Sequence, residues 1–191
     1  MMPELWRSLT SRRRGSRWIA LLSVLGLVSG PLPAATGAPT HELVRSELLL
    51  RRYLSRLSAD ASVVVERQDE QLVLRFPVSL LFDPDSTTLT DRALTSPPVA
   101  AAVHLLRARH ALSADVAVYT DDIGGSNFNQ SVSTARAQAL AAALSARVSV
   151  ARLRQRGVGA QNALAGNDTP EGRIRNRRVE IAFRLERATG P

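Results

Sequence analysis

The sequence has no cysteine and no lysine, and only 4% of its 191 residues are aromatic. The missing cysteine excludes a disulfide framework, a thiolate zinc site, a cysteine nucleophile and a lipid-modified cysteine. The three histidines, His41, His104 and His110, are scattered along the chain, which argues against a histidine-based metal site. All 25 basic residues are arginine, a bias that GC-rich coding alone can produce. The overall composition is typical of a globular protein, and 191 residues are enough for one domain plus an extension.

The formal net charge of +8 overstates how basic the folded part is. Residues 1–38 contain five arginines and one glutamate, and without them 20 basic and 16 acidic residues remain, a net charge of +4. A strongly basic chain is typical of nucleic-acid binding. Since half of the excess charge lies in this N-terminal segment, nucleic acid is not an expected partner.

The first 38 residues are arranged like a secretory signal peptide. A basic stretch at 12–17 precedes the apolar run Trp18–Ser29, which Gly30, Pro31 and a small-residue segment follow. This order is typical of a signal peptide, and the twelve-residue apolar run is shorter than the roughly 20 residues of a membrane-spanning helix. We expect cleavage after Ala35 or Ala38. The alternative is an uncleaved membrane anchor, and both readings place the rest of the chain outside the cytoplasm.

The remaining sequence alternates between helix-like and strand-like patterns. Apolar residues at helical spacing predict an amphipathic helix over His41–Leu57, and two β-branched runs joined by a short polar link predict a hairpin. Pro97 and Pro98 predict the start of the next helix, since proline fits the first turn. The predicted elements are strands 62–67 and 71–76, helix 97–110, strand 115–120, helix 129–147, strand 153–159, helix 170–176 and strand 179–185.

These elements predict an α+β fold in which helices lie on one side of a mixed sheet. The predicted domains are a signal peptide at 1–38, a linker and amphipathic helix at 39–60, a β-hairpin at 61–77 and the main domain at 78–187. The amphipathic helix is expected to pack on its own domain. The alternative is that it contacts an envelope protein or a membrane surface.

Two oppositely charged residues are expected at one junction between a strand and a helix. Asp121 follows the predicted strand, on a loop that contains Gly124 and Gly125, and Arg136 lies about two turns into the next helix. One interpretation is a structural ion pair that fixes the loop. The other is a site for a zwitterion, in which Asp121 accepts an ammonium group and Arg136 binds a carboxylate.

A second motif follows, at Asn167–Ile181, and with the first it resembles a known family. The first motif reads Thr120-Asp121-x-x-Gly124, then Phe128-Asn129, then Val132-Ser133-x-x-Arg136-Ala137, and the second reads Asn-x-Thr-x-Glu-Gly-Arg-x-x-Asn-Arg-Arg-Val-Glu-Ile. Gly157-x-Gly159 and the segment around Phe82-Asp83 add to the likeness. Residues 78–185 resemble the OmpA-like C-terminal domain, the peptidoglycan-associating module of porin A, the Pal lipoprotein and MotB.

The resemblance implies a noncatalytic domain that binds the meso-diaminopimelate of the peptidoglycan stem peptide, with no cofactor and no metal. It assigns the zwitterion to Asp121 and Arg136, support to Asn129 and Arg177, and the pocket lining to the backbone of Phe82 and Asp83. The chain departs from the family pattern at three places. Tyr119 replaces the usual histidine, Ile123 replaces a common polar residue of the binding loop, and Pro97-Pro98 break the first helix. Ile123 is expected to weaken ligand binding without abolishing it.

The expected function is therefore to bind peptidoglycan and attach the protein to the cell wall, in the periplasm or at the outer membrane. An envelope enzyme is disfavoured, because neither a Ser-His-Asp nor a Cys-His arrangement is present and the histidines lie outside the motif loops. A further alternative is a stator or secretion-system component with an uncleaved anchor and the same wall-binding domain.

Overall fold

The computed structural model describes residues 38–57 and 62–186, with side chains from residue 41 onward. Of the predicted signal peptide, all but Ala38 lies outside the described residues. Within the two described ranges, no helix is both long and apolar enough to span a bilayer. The elements are α1 (Ala38–Leu57), β1 (Val64–Gln68), β2 (Gln71–Pro77), α2 (Pro97–Ala108), β3 (Leu112–Tyr119), α3 (Ser126–Ser145), β4 (Leu153–Gly159), α4 (Pro170–Asn176) and β5 (Arg178–Leu185).

The five strands form one mixed sheet in the order β1-β2-β5-β3-β4. β1 and β2 form the predicted hairpin, β5 pairs antiparallel with both β2 and β3, and β3 pairs in parallel with β4. A parallel pair needs a crossover connection, which α3 supplies. The predicted α+β fold with a mixed sheet is confirmed. The last of the described strands along the chain therefore lies in the middle of the sheet.

The main core lies between one face of the sheet and the helices α1, α2 and α3. Alternate residues of the central strands point toward these helices, as expected for a strand with one face in a core. The largest fully buried side chains come from the sheet, all three helices and the turn after β2: Leu43, Leu50, Leu72, Leu74, Phe76, Leu81, Leu105, Leu106, Leu112, Leu140, Leu144 and Phe183. The predicted N-terminal helix is thus part of the domain, since Leu43 and Leu50 lie in this core.

The two prolines of α2 begin the helix rather than break it. Pro97 and Pro98 occupy its first turn, where a missing N–H removes no intrahelical hydrogen bond. The helix ends at Ala108, two residues before the predicted end at His110, because the backbone angles of Arg109, φ −128° and ψ 88°, are not helical. The guanidinium of Arg152 holds this turn by donating to the carbonyls of Leu106, Arg109 and Leu112 at 2.6–2.9 Å.

Other element boundaries also differ from the prediction, among them those of β3 and α3. β3 begins at Leu112, three residues early, because Leu112–Val118 all pair with β5. α3 spans Ser126–Ser145, whereas 129–147 was predicted, so it starts directly after Gly125. The earlier start brings the first turn of α3 next to the loop that contains Asp121.

The face of the sheet opposite the helices carries a network of charged side chains. Glu180 accepts hydrogen bonds from Arg75 at 2.9 Å, Arg178 at 2.8 Å and the hydroxyl of Tyr119 at 3.1 Å. The guanidinium of Arg178 also stacks on the Tyr119 ring, 3.6 Å from its centroid. Burial by itself raises the pKa of Glu180, but the hydrogen bonds and charges of Arg178 and Arg75 outweigh it, so the net pKa lies below the ordinary value.

We expect Glu180→Gln to reduce the acid sensitivity of folding. A carboxyl whose pKa is lower in the folded state adds stability above the unfolded-state pKa and loses it as the pH falls through the folded-state pKa. The wild type should therefore lose unfolding free energy as the pH falls below about 4.5, the ordinary glutamate value. The variant should show a shallower decline, and at pH 7 it should be less stable by about 2 kcal/mol, since charged hydrogen bonds are lost.

Urea unfolding midpoints measured between pH 7 and pH 3 test this expectation. Asp91→Asn, a change at an exposed carboxyl, is the matched control. Equal slopes for Glu180→Gln and the wild type would show that Glu180 does not set the acid limit.

Candidate functional site

A cavity of about 420 Å³ lies where β3 ends, β5 begins and the chain leaves β2. All six residues that the sequence predicted for a ligand site line it. The full lining is Val78, Ser79, Phe82, Asp83, Pro84, Asp85, Thr120, Asp121, Ile123, Gly124, Phe128, Asn129, Val132, Arg136 and Arg177. Three segments that are far apart in sequence thus meet at one end of the three central strands, β2, β5 and β3.

Asp121 is the buried carboxylate of the cavity, and its residue is 7% exposed. One oxygen, Oδ2, accepts a hydrogen bond from Nη1 of Arg177 at 2.5 Å, and the other, Oδ1, accepts one from the backbone N–H of Ile123 at 3.2 Å. The first contact links the end of β3 to the start of the neighbouring strand β5. The second folds the loop back on its own carboxylate, an Asx-turn arrangement. Asp121 is therefore fixed in place and keeps lone pairs for a further donor.

Arg136 does not pair with Asp121, so the structural ion pair considered above is wrong. Its Nε donates to the backbone carbonyl of Ser86 at 2.8 Å, and its guanidinium lies 5.4 Å from the centroid of the Phe82 ring. Burial lowers the pKa of Arg136, while the nearby charge of Asp85 raises it and that of Arg177 lowers it. Among the described residues, Arg136 forms no salt bridge. A buried guanidinium without a carboxylate partner suits an incoming anion.

Two polar atoms in the cavity wall have no hydrogen-bond partner in the described part of the chain. They are Nδ2 of Asn129, a residue only 3% exposed, and Oγ1 of Thr120. Buried polar atoms are nearly always hydrogen-bonded, so such exceptions call for a reason. Their position beside Asp121 and Arg136 is consistent with a wall that is completed when a polar molecule is bound.

The binding loop depends on two glycines. Gly124 and Gly125 have φ of 95° and 81°, a region that residues with side chains rarely adopt. A Cβ on Gly124 would also lie 2.7 Å from the ring of Phe128. Phe128 and Ile123 stay 57% and 62% exposed, although both line the cavity. The cavity therefore has a polar base and an apolar rim.

The opposite rim is the turn that follows Phe82. Asp83 and Asp85 are exposed carboxylates of this turn, which closes through the N–H of Ser86 donating to the carbonyl of Asp83 at 3.2 Å. Asp85 takes a left-handed φ of 59°, which aspartate tolerates better than most residues. Sequence reasoning missed Asp85, Thr120 and Phe128. Asp85 lies two residues after Asp83 and Thr120 directly precedes Asp121, so their positions in the sequence could have indicated them. Phe128 belongs to the aromatic-Asn dipeptide of the first motif.

Tyr119 and Ile123, two of the departures from the family pattern, have different positions. Tyr119 points to the far face of the sheet, bonds Glu180 and does not line the cavity. Ile123 does line it, but its backbone N–H still holds Asp121.

The cavity therefore presents buried guanidinium and carboxylate groups to one small volume. This pattern complements a ligand that carries both an ammonium and a carboxylate. No group of three or more residues that could hold a metal ion exists among the described side chains.

The sequence pattern of the OmpA family matches residues 81–177, just over half of the chain and nearly all of the cavity lining. The chain is 36% identical over 122 residues to "Probable lipoprotein YiaD" of Escherichia coli, covering 63% of this chain and 55% of that protein. It is 45% identical over 64 residues to "Peptidoglycan-binding protein ArfA" of Mycobacterium tuberculosis, covering 33% of this chain and 20% of that protein. The chain thus spans about half of one of these relatives and a fifth of the other.

Solved structures with the same fold cover more of the chain. A MotB-like protein from Desulfovibrio vulgaris superposes with a TM-score of 0.70 at 23% identity, covering 80% of this chain and 97% of that one, which is a likeness of fold. The cell wall anchor of the T6SS from Pseudomonas aeruginosa superposes with a TM-score of 0.62 at 29% identity, covering 72% of this chain and 97% of that one. By family pattern, relatives and fold together, the chain belongs to the OmpA family.

Proposed function

We propose that this protein binds peptidoglycan without catalysis, through the meso-diaminopimelate of the stem peptide. The observation that carries the proposal is the cavity at the end of β3, where a buried carboxylate and a buried guanidinium without a salt-bridge partner among the described residues face one volume. The side chain of diaminopimelate ends in an amino group and a carboxylate on one carbon, so it is a zwitterion of matching charge. The relative ArfA, named as peptidoglycan-binding, supports this choice of polymer.

The contacts give each residue a role. Arg136 binds the ligand carboxylate with the guanidinium nitrogens that Ser86 does not use. Asp121 accepts the ammonium group with its remaining lone pairs. Arg177 and the N–H of Ile123 orient Asp121, so Arg177 is a positioning residue in this scheme. Asn129 donates from Nδ2, which has no partner among the described residues, and the turn at Phe82-Asp83 closes the pocket.

The proposed cellular role is to tether or organise the Gram-negative envelope, from the periplasm or at the outer membrane. Signal-peptide cleavage after Ala35 or Ala38 belongs to this proposal. The second candidate is a membrane-anchored stator or secretion-system component with the same wall-binding domain. The likeness to the cell wall anchor of the T6SS supports this second candidate. N-terminal sequencing of the protein isolated from cells separates the two, because an anchored form retains Trp18–Ser29.

We expect the full chain to bind purified sacculi that contain diaminopimelate in about 0.3 M salt, where the Debye length is roughly 5–6 Å. Adsorption of arginines to an anionic polymer fails under these conditions, whereas short, directed hydrogen bonds in an enclosed pocket persist. Free meso-diaminopimelate should compete. Walls with lysine in place of diaminopimelate should bind poorly, because lysine lacks the carboxylate that Arg136 holds.

Co-sedimentation with the two wall types, with and without the competitor, measures this preference. Asp122→Ala is a matched control, because Asp122 is the adjacent exposed carboxylate and does not line the cavity. Equal binding to both wall types, lost in modest salt, would contradict the pocket and leave only adhesion of a basic surface.

A further inference from the structure

A second concave region lies on the outer side of the helices, away from the cavity described above. Its centre is a stacked pair, Tyr53 of α1 and His104 of α2, with ring centroids 4.3 Å apart. The pair separates two small cavities of about 250 and 240 Å³. Arg52 and Arg56 line the first cavity, and Arg107 and Arg147 line the second. We call these four arginines, with Tyr53 and His104, the basic surface.

The basic surface carries charge of one sign. No acidic side chain of the described residues lines either cavity, and all four arginines are exposed. Two of them have a structural task, since Nε of Arg107 donates to the carbonyl of Arg147 and Nη1 of Arg147 donates to that of Ala143. These bonds satisfy carbonyls at a helix end, where the partial charge is about half a negative unit. For Arg52 and Arg56 the structure gives no side-chain bond to a described residue.

The C-terminal ends of α1, α2 and α3 each carry about half a negative charge. Together these partial charges cannot neutralise the four guanidinium groups. The remaining positive charge is spread over α1, α2 and the end of α3, around an aromatic pair that is half-buried. A single small anion needs an enclosed site with convergent donors. Here two shallow cavities lie side by side on an open face, which matches a surface that presents many anionic groups at once.

The basic surface and the ligand cavity also lie at opposite ends of α3. Asn129 is in the first turns of this helix, and Arg147 lies just past its last residue. A helix of 20 residues is about 30 Å long, at 1.5 Å per residue. The two regions can therefore be occupied at the same time by two different large structures.

We propose that the basic surface binds the phosphate headgroups of an anionic phospholipid bilayer. Guanidinium groups bind phosphate oxygens with two parallel hydrogen bonds. Tyrosine is favoured at the boundary between headgroups and water, because its ring is apolar and its hydroxyl is polar. The proposal is independent of the wall ligand, since no residue of the basic surface lines the peptidoglycan cavity.

The test uses the full chain and vesicles of either pure phosphatidylcholine or a mixture containing phosphatidylglycerol. Neutral vesicles measure any insertion of the N-terminal apolar run, which does not need lipid charge. We expect tighter binding to the anionic vesicles. Arg52→Gln with Arg56→Gln should weaken that binding about 25-fold, at roughly fivefold for each arginine near an anionic surface. Glutamine keeps helix propensity close to that of arginine, so α1 should remain folded.

The matched control is Arg154→Gln with Arg184→Gln, which removes the same charge from exposed positions on the sheet face opposite the helices. It should weaken binding by no more than about threefold, because charges beyond a Debye length from the bilayer are screened. Equal losses in the two double variants would overturn the proposal in favour of diffuse attraction by net charge. Equal binding to neutral and anionic vesicles would overturn it as well. Saturable binding of inorganic phosphate, lost in the Arg52/Arg56 variant without any preference for anionic vesicles, would instead show a small-anion site.

Discussion

Arg136→Lys should weaken binding to diaminopimelate-containing sacculi at least tenfold, although it preserves the charge. A lysine ammonium is a point charge and cannot form two parallel bonds to a carboxylate. It also cannot donate to the carbonyl of Ser86 from the position of Nε while binding the ligand. The alanine variants Asp121→Ala and Arg136→Ala should each cost about 2 kcal/mol or more, roughly a 30-fold loss, because the opposite ligand charge is left unpaired in a partly desolvated cavity.

The affinity is measured by co-sedimentation across a range of sacculus concentrations. Arg175→Lys and Asp122→Ala are the matched controls, since both residues are exposed and neither lines the cavity. Urea unfolding of each variant shows whether the fold is intact. Unchanged binding in folded Asp121→Ala and Arg136→Ala would reduce both residues to structural roles and remove the basis of the proposed pocket.

Gly157→Ala should destabilise the domain by about 3 kcal/mol, the upper part of the usual range for overpacking a core. Gly157 lies in β4 directly under α3, and a Cβ there would be 2.2 Å from the backbone N and 2.5 Å from the Cα of Thr134. Backbone atoms of a helix cannot move aside as a flexible side chain can. The helix would have to lift, which would strain the bonds from Gln130 to the carbonyl of Gly157 and from the N–H of Gly159 to Ser133.

Gly125→Ala is the comparison variant, because it replaces a glycine without creating a steric clash with a neighbouring element. Nothing lies within 4 Å of a Cβ at Gly125, so its cost is set by its backbone angles, φ 81° and ψ 163°, a combination nearly confined to glycine, and is about 1–3 kcal/mol. Urea unfolding of both variants measures the difference. A stability of Gly157→Ala within about 1 kcal/mol of the wild type would contradict the close approach of α3 to β4, because overpacking a close-packed interior normally costs more.

Local sequence patterns were sufficient to predict the elements whose first and last residues are determined by neighbouring residues. Proline at the first turn predicted the start of both α2 and α4, and the bounds of α4 and β4 agree with the prediction. The β1-β2 hairpin followed from two β-branched runs joined by a short polar link. In each case the determining residues lie inside or next to the element.

Features that depend on distant residues could not be predicted in this way. The end of α2 is fixed by Arg152, more than 40 residues beyond Ala108, and the early start of β3 by pairing with β5. The partner of Asp121 is Arg177, 56 residues away, although Arg136 is much nearer in sequence. The motif identified six residues that line the cavity, but which charges pair depends on the fold.

The position of β5 in the middle of the sheet bears on when the domain can assemble. Of the five described strands β5 is synthesised last, yet it joins the pair β1-β2 to the pair β3-β4. Until it arrives, the earlier strands cannot form one sheet, and Arg177 is not yet in place beside Asp121. If the chain is exported as its N-terminal segment predicts, the sheet cannot close before β5 has crossed the membrane. In the proposed envelope role, the cavity would therefore form only after export.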